Sequence, residues 1–150
     1  MTPELAELTR HENLLVLLTH PGEEATRAGA LIAQACRQAR TPLVVVLTDG
    51  SAPDGDQGRA EAKAAAVREA ARDLGVPEHR VFLLGLLEGQ APQAGTPLHA
   101  KLVAALIFLM WSRDCGVIAV MRGPCADHAS AWSAAEVVAA ETGVRLAALD

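Results

Sequence analysis

His20 and Glu23 stand three residues apart in the segment Thr19-His20-Pro21-Gly22-Glu23-Glu24, directly after an apolar run. At a strand end that feeds a helix, this spacing can turn both side chains toward one point. A second segment of similar chemistry, Arg122-Gly123-Pro124-Cys125-Ala126-Asp127-His128, follows another apolar run. Two imidazoles and one carboxylate, from His20, His128 and Glu23, make a three-ligand set of the kind that catalytic zinc uses. Three protein ligands leave a position open, where the metal can hold water, lower its pKa to about 7 and polarise a carbonyl. Asp127 suits the role of orienting a histidine from behind, and Asp49, at the end of a further apolar run, opens toward the same rim. Ordinary roles are open to the same residues. Glu23 and Glu24 suit the first turn of a helix, and Asp127 suits an N-cap, with His128 a polar loop residue beside it.

These two loops can meet only if the strands they leave are neighbours. Residues 14–18, 43–47 and 117–121 are apolar at consecutive positions, as strands buried on both faces are, and 81–84 and 144–148 give weaker versions of the signal. Between them lie alanine-rich segments of helical length at 24–39, 59–74, 98–112 and 129–142. Gly75-Val76-Pro77 stops the second segment, Thr96-Pro97 opens the third and Gly143 follows the fourth. Strand and helix alternating in this way predict one α/β domain over residues 1–150, a Rossmann-like three-layer sandwich with a mainly parallel five-stranded sheet in the order 3-2-1-4-5. In that order the first strand lies beside the fourth, where the winding reverses and ligands collect. Fold logic therefore brings the two loops together.

Composition narrows the partners. The chain has 150 residues, 51% hydrophobic and 21% charged, with a formal charge of -5. With no basic excess, nucleic acid and anionic membrane surfaces are poor partners. Cys36, Cys115 and Cys125 form no CxxC pair, so a disulfide framework is not expected. The first ten residues carry no export signal, and the longest apolar stretch, 102–111, is too short to span a bilayer, which together point to the cytoplasm. No GxGxxG follows the first strand, and His20-Pro21 takes the place of a phosphate-binding turn, so a nucleotide-binding domain is the weakest reading.

A family resemblance joins these pieces. Leu17-Leu18-Thr19-His20-Pro21-Gly22-Glu23-Glu24 with Gly29, then Val45-Val46-Leu47-Thr48-Asp49-Gly50, then Leu74-Gly75-Val76, then Phe82 to Gly89, and Ala126-Asp127-His128, occur in the order of the LmbE-like, or PIG-L, family of de-N-acetylases. The resemblance runs across most of the chain. It implies a Rossmann-like fold and zinc-dependent removal of acetyl groups from an amino-sugar-like small molecule, with an HPDDE loop after strand one and an HxDH loop after strand four. His20 and His128 match the zinc histidines, and Glu23 stands where the family has its zinc aspartate. Gly22 occupies the place of the aspartate that acts as general base, and Cys125 that of the first histidine of the HxDH loop, which helps to stabilise the tetrahedral intermediate. The arginine and glutamate often found in the following helix align with Lys63 and Ala66, while Arg59 and Glu61 lie a turn earlier.

Two expectations of function follow. One is a metal-dependent hydrolase in which Asp127, Cys125 and Asp49 are the candidate catalytic residues, Glu24 and Glu88 being substitutes for the missing base. The other is a non-catalytic descendant that keeps the cleft as a binding or assembly module, because glycine at position 22 cannot take a proton. For Cys125, an inert small residue and a metal-binding or reactive thiol are both open readings. The resemblance also implies further chain after the helix that follows the HxDH loop, so the pocket is expected to be open or completed by another subunit in a homo-oligomer. Trp111 and Trp132 offer apolar surface for that purpose, although helical spacing favours core.

Overall fold

The computed structural model describes residues 2–150. Its five strands, β1 Leu14–Leu18, β2 Leu43–Thr48, β3 Val81–Leu86, β4 Val117–Met121 and β5 Arg145–Leu149, form one sheet in the order β3-β2-β1-β4-β5. Every pairing is parallel. The consecutive apolar runs are explained by burial on both faces. Leu14, Val16 and Leu18 of β1 enter one core with Val44, Val46, Val117 and Ala119, while Leu15 and Leu17 enter the other with Val45, Ile118 and Val120.

Helices cover both faces. α1 Pro3–His11, α2 Gly29–Arg37 and α3 Gln57–Leu74 supply Leu5, Leu8, Leu31, Ile32 and Val67 to the first core; α4 Pro97–Ser112 and α5 Ala126–Thr142 supply Leu102, Leu106, Met110, Ala131 and Val138 to the second. No helix among the described residues is long and apolar enough to cross a membrane. α1 went unread in the sequence, although Thr2 caps it by accepting from the Leu5 N–H at 3.3 Å and Pro3 stands in its first turn. On α4 the stripe from Leu102 to Met110 is core, but Phe108 and Trp111 are 69% and 73% exposed, so the helical spacing that suggested core fails at its outer face.

Two helix boundaries correct the sequence reading, and both bear on the site. The segment expected as helix from residue 24 is irregular as far as Ala28, and α2 starts at Gly29. Gly22 takes φ +104°, and the Glu24 carboxylate accepts its N–H at 2.8 Å, so the chain loops before it winds. α5 begins three residues earlier than expected, with Cys125 at its N-cap, which puts Asp127 and His128 in its first turn rather than in a loop. Asp127 is therefore not the cap.

At the far end of β2 the register with β3 shifts between Val46 and Thr48, and Gly85 takes φ +72°. Such a bulge re-aims the strand end, and here the Asp49 N–H donates to the Leu86 carbonyl at 2.8 Å.

Candidate functional site

The carboxyl ends of β1 and β4 adjoin, since Leu17 pairs with Val120, and the loops leaving them converge. The His20 and His128 rings meet edge to face with centroids 5.1 Å apart. Between them sits Cys125, its Sγ 3.4 Å from His20 Nε2 and 2.8 Å from His128 Nδ1. Ligand atoms of His20, Cys125 and His128 all lie within 4.8 Å of one another. His128 is buried, while His20 and Cys125 are half-buried, which leaves an approach from solvent.

The hydrogen-bond partners of each ring point to one placement of its protons. The Thr48 hydroxyl donates its one proton to the Thr19 carbonyl at 2.9 Å. It can then only accept from His20, whose Nδ1 lies 2.9 Å away, so Nδ1 is the N–H and Nε2 presents its lone pair to Cys125. On His128, Nε2 lies 2.8 Å from Glu23 Oε2, and an ionised carboxylate only accepts. Nδ1, facing Cys125, is the lone-pair nitrogen of the neutral ring.

Glu23 thus stands behind His128. Its other oxygen, Oε1, accepts the Thr19 N–H at 2.7 Å and the His20 N–H at 3.0 Å, which is how the irregular turn after β1 folds the carboxylate back on the strand end. Arg27 adds a tie across the two loops, with Nη1 4.0 Å from Glu23 Oε2 and Nη2 donating to the Arg122 carbonyl.

The other acidic residues hold loops. Asp127 is buried, and its two oxygens accept the Gly89 N–H at 2.7 Å and the Ala91 N–H at 3.1 Å, fixing the loop between β3 and α4. Asp49 Oδ1 accepts the Ser51 hydroxyl at 2.6 Å, the Ser51 N–H at 3.0 Å and the Glu88 N–H at 3.3 Å. Partial burial works against its charge, but these donors outweigh it and hold the carboxyl below its usual pKa. Glu24 is 2% exposed, and burial raises its pKa despite the Gly22 N–H it accepts. Neither Asp49 nor Asp127 offers a free oxygen pair to the two imidazoles.

Two residues of the site were not singled out from the sequence, Thr48 and Gly123. A Cβ on Gly123 would fall 2.6 Å from His128 Cε1, so only glycine lets that ring lie against the loop. Neither carried a signal, because a threonine ending a strand is ordinary β-propensity and a Gly-Pro pair is ordinary turn chemistry.

Beside His20 a cleft of about 210 Å³ runs between the ends of β2 and β3 and the start of α3, lined by Pro21, Thr48, Asp49, Gln57 and Glu61 among others. Larger concavities of about 560 Å³ on α4 and α5 and about 810 Å³ between α1 and β5 include neither Pro21 nor Thr48. The cleft lining holds none of His20, Cys125 and His128 itself, and its link to them is Thr48, the partner of His20 Nδ1.

No family model matches the chain, and no curated protein matches it by sequence. Solved structures do match. N,N'-diacetylchitobiose deacetylase from Pyrococcus horikoshii superposes with a TM-score of 0.71 at 17% identity, over 93% of this chain and 59% of that one. The deacetylase of the antimicrobial A40926 pseudoaglycone gives 0.67 at 19% identity, over 91% of this chain and 62% of that one. The chain has the fold of these deacetylases. It spans about three fifths of their length. The deacetylase fold is the one that the LmbE-like resemblance implied, and in it the loops after β1 and β4 meet at one point. Lys63 of α3 lies beside Pro21 at the end of β2. A Cβ on Gly50 would lie 2.6 Å from Lys63 Cδ and 3.1 Å from Pro21 Cγ, so the bare glycine lets both close over the end of β2.

Proposed function

We propose that this chain is a metal-dependent hydrolase domain of LmbE-like type that removes the acetyl group from an amino-sugar-like amide. The observation that carries the reading is the pair of imidazoles from separate loops, His20 and His128, each with one nitrogen pinned by an outside partner and the other turned inward. Two neutral imidazoles beside a thiol suit zinc, and the residue types offer little to a hard cation such as magnesium. When bound there, the cation supplies Lewis acidity toward an amide carbonyl.

The chain's own residues set the rest. Thr48 and Glu23 hold the two rings in their tautomers, Asp127 and Asp49 hold the loop between β3 and α4, and Gln57 and Glu61 in the cleft lining offer polar contacts to a sugar hydroxyl. Gly22 supplies no carboxylate for the base role. Glu23, next in sequence, is turned to His128, and the Oε2 of Glu24 is committed to the Gly22 N–H. General base help contributes about 10²- to 10⁴-fold, so turnover on a stable amide is expected to be slower by that order than in an enzyme with the aspartate present. The three free cysteines agree with a reducing cytoplasm.

Acetate release from N-acetylated amino sugars, diacetylchitobiose among them, by zinc-loaded protein is the direct test. Slow release that a chelator abolishes and zinc restores is the expected result. A folded, zinc-loaded protein that releases no acetate overturns the activity, and recovery of turnover in Gly22→Asp would locate the defect in the base.

A further inference from the structure

Three atoms face one another at the centre of the cluster: His20 Nε2, Cys125 Sγ and His128 Nδ1. Because Thr48 and Glu23 take the outer N–H of each ring, the neutral assembly has a single proton, that of the thiol, to share among three inward lone-pair atoms. A hydrogen bond can satisfy one nitrogen and must leave the other facing sulfur. A cation in place of that proton satisfies all three.

Resting on the reading that these loops hold a divalent metal, we propose that Cys125 is itself a ligand, giving a two-histidine, one-thiolate site for a borderline-soft cation of the zinc class, with Glu23 as the carboxylate that orients His128. Binding forms three bonds to the cation and releases the Cys125 proton to solvent. Both Glu23 oxygens are already occupied, Oε1 by two backbone N–H groups and Oε2 by His128 Nε2, which is the carboxylate–histidine–metal arrangement seen from behind the ring. One thiolate shifts preference toward zinc and away from magnesium and calcium. It also adds negative charge to the metal and weakens its pull on a carbonyl, a second reason for slow turnover besides Gly22.

The other thiols are set apart from this role. Cys115 is buried, which pushes its pKa up to about 11, and burial raises that of Cys36 as well.

The test is titration of chelator-treated protein with cobalt(II), whose thiolate charge-transfer absorption reports sulfur in the coordination sphere independently of any activity. The native chain is expected to show that absorption together with visible ligand-field bands. Cys125→Ser and Cys125→Ala are expected to lose the charge-transfer absorption and bind more weakly. Glu23→Gln is expected to keep it while losing about 10- to 100-fold in affinity. Zinc is expected to protect Cys125 from iodoacetamide, read by mass spectrometry of the labelled peptide. Cobalt bound by the native chain without charge transfer, at an affinity that Cys125→Ser leaves unchanged, overturns the thiolate while sparing the metal site. Folded native protein that binds neither cobalt nor zinc overturns both.

Discussion

Gly123 lies so close under the His128 imidazole that a Cβ there would approach Cε1 to 2.6 Å and both ring nitrogens to 2.7 Å. The ring, buried and held from behind by Glu23, has little room to retreat. Gly123→Ala is expected to cost about 1–3 kcal/mol of stability, the usual penalty of overpacking. It is also expected to weaken zinc binding by turning His128 away from Cys125. Thermal melts and isothermal titration check both, and an unchanged zinc affinity would show that the ring yields freely.

Thr48 is the hinge of the His20 tautomer. Thr48→Val removes the acceptor of the His20 Nδ1–H and the donor to the Thr19 carbonyl together. Losses of about 10- to 100-fold in metal affinity and about 1–3 kcal/mol in stability are expected, and Thr48→Ser, which keeps the hydroxyl, is expected to restore most of both. Failure of the serine variant to rescue affinity would separate Thr48 from the histidine.

Asp127 was read from the sequence as an orienting or catalytic residue, and the structure gives its carboxylate the Gly89 and Ala91 N–H groups as partners. Asp127→Asn turns one acceptor oxygen into a donor facing a donor. The expected cost is about 1–3 kcal/mol, with faster amide exchange confined to the loop between β3 and α4. Exchange that quickens instead around His128 would tie Asp127 to the metal loop.

Glu24 carries a pH signature. Burial raises its folded-state pKa above the unfolded value of 4.5, so the native state prefers the protonated form. Its contribution to stability is fully present below about pH 4.5 and is lost as pH rises through the folded pKa. Glu24→Gln, which keeps an oxygen for the Gly22 N–H, is expected to gain stability over the native chain at neutral pH, with the gain fading in acid. Denaturant melts across pH 4 to 8, a range about the unfolded carboxyl value, read this directly; a gain that is constant with pH would assign it to packing.

How much of this could be read from the chain alone differs by level. The strands were legible because burial on both faces writes consecutive apolar residues, as in Leu14 to Leu18, and the neighbouring of β1 and β4 followed from the handed winding of such units. His20, Glu23 and His128 could be read as a set for the same reason, while the sequence left Cys125 open between an inert small residue and a metal-binding or reactive thiol. What each does within the group was hidden, since Glu23 and Asp127 look alike as acids near helix starts. Only the paths of the turns, one with Gly22 at positive φ and one with the helix beginning at Ala126, decide that the first faces a histidine and the second faces a loop. Trp111 shows the opposite limit, because α4 is apolar on every side and its periodicity could not tell the sheet face from the solvent face.

The contact between Glu23 and His128 spans 105 positions of sequence. During synthesis, then, a ribosome that has delivered β1, β2 and β3 has made only half of the cluster, and His20 waits without its counterpart until β4 slots in beside β1. Closure of the cluster is thereby coupled to late, long-range assembly, and the two imidazoles cannot meet before the sheet is nearly whole.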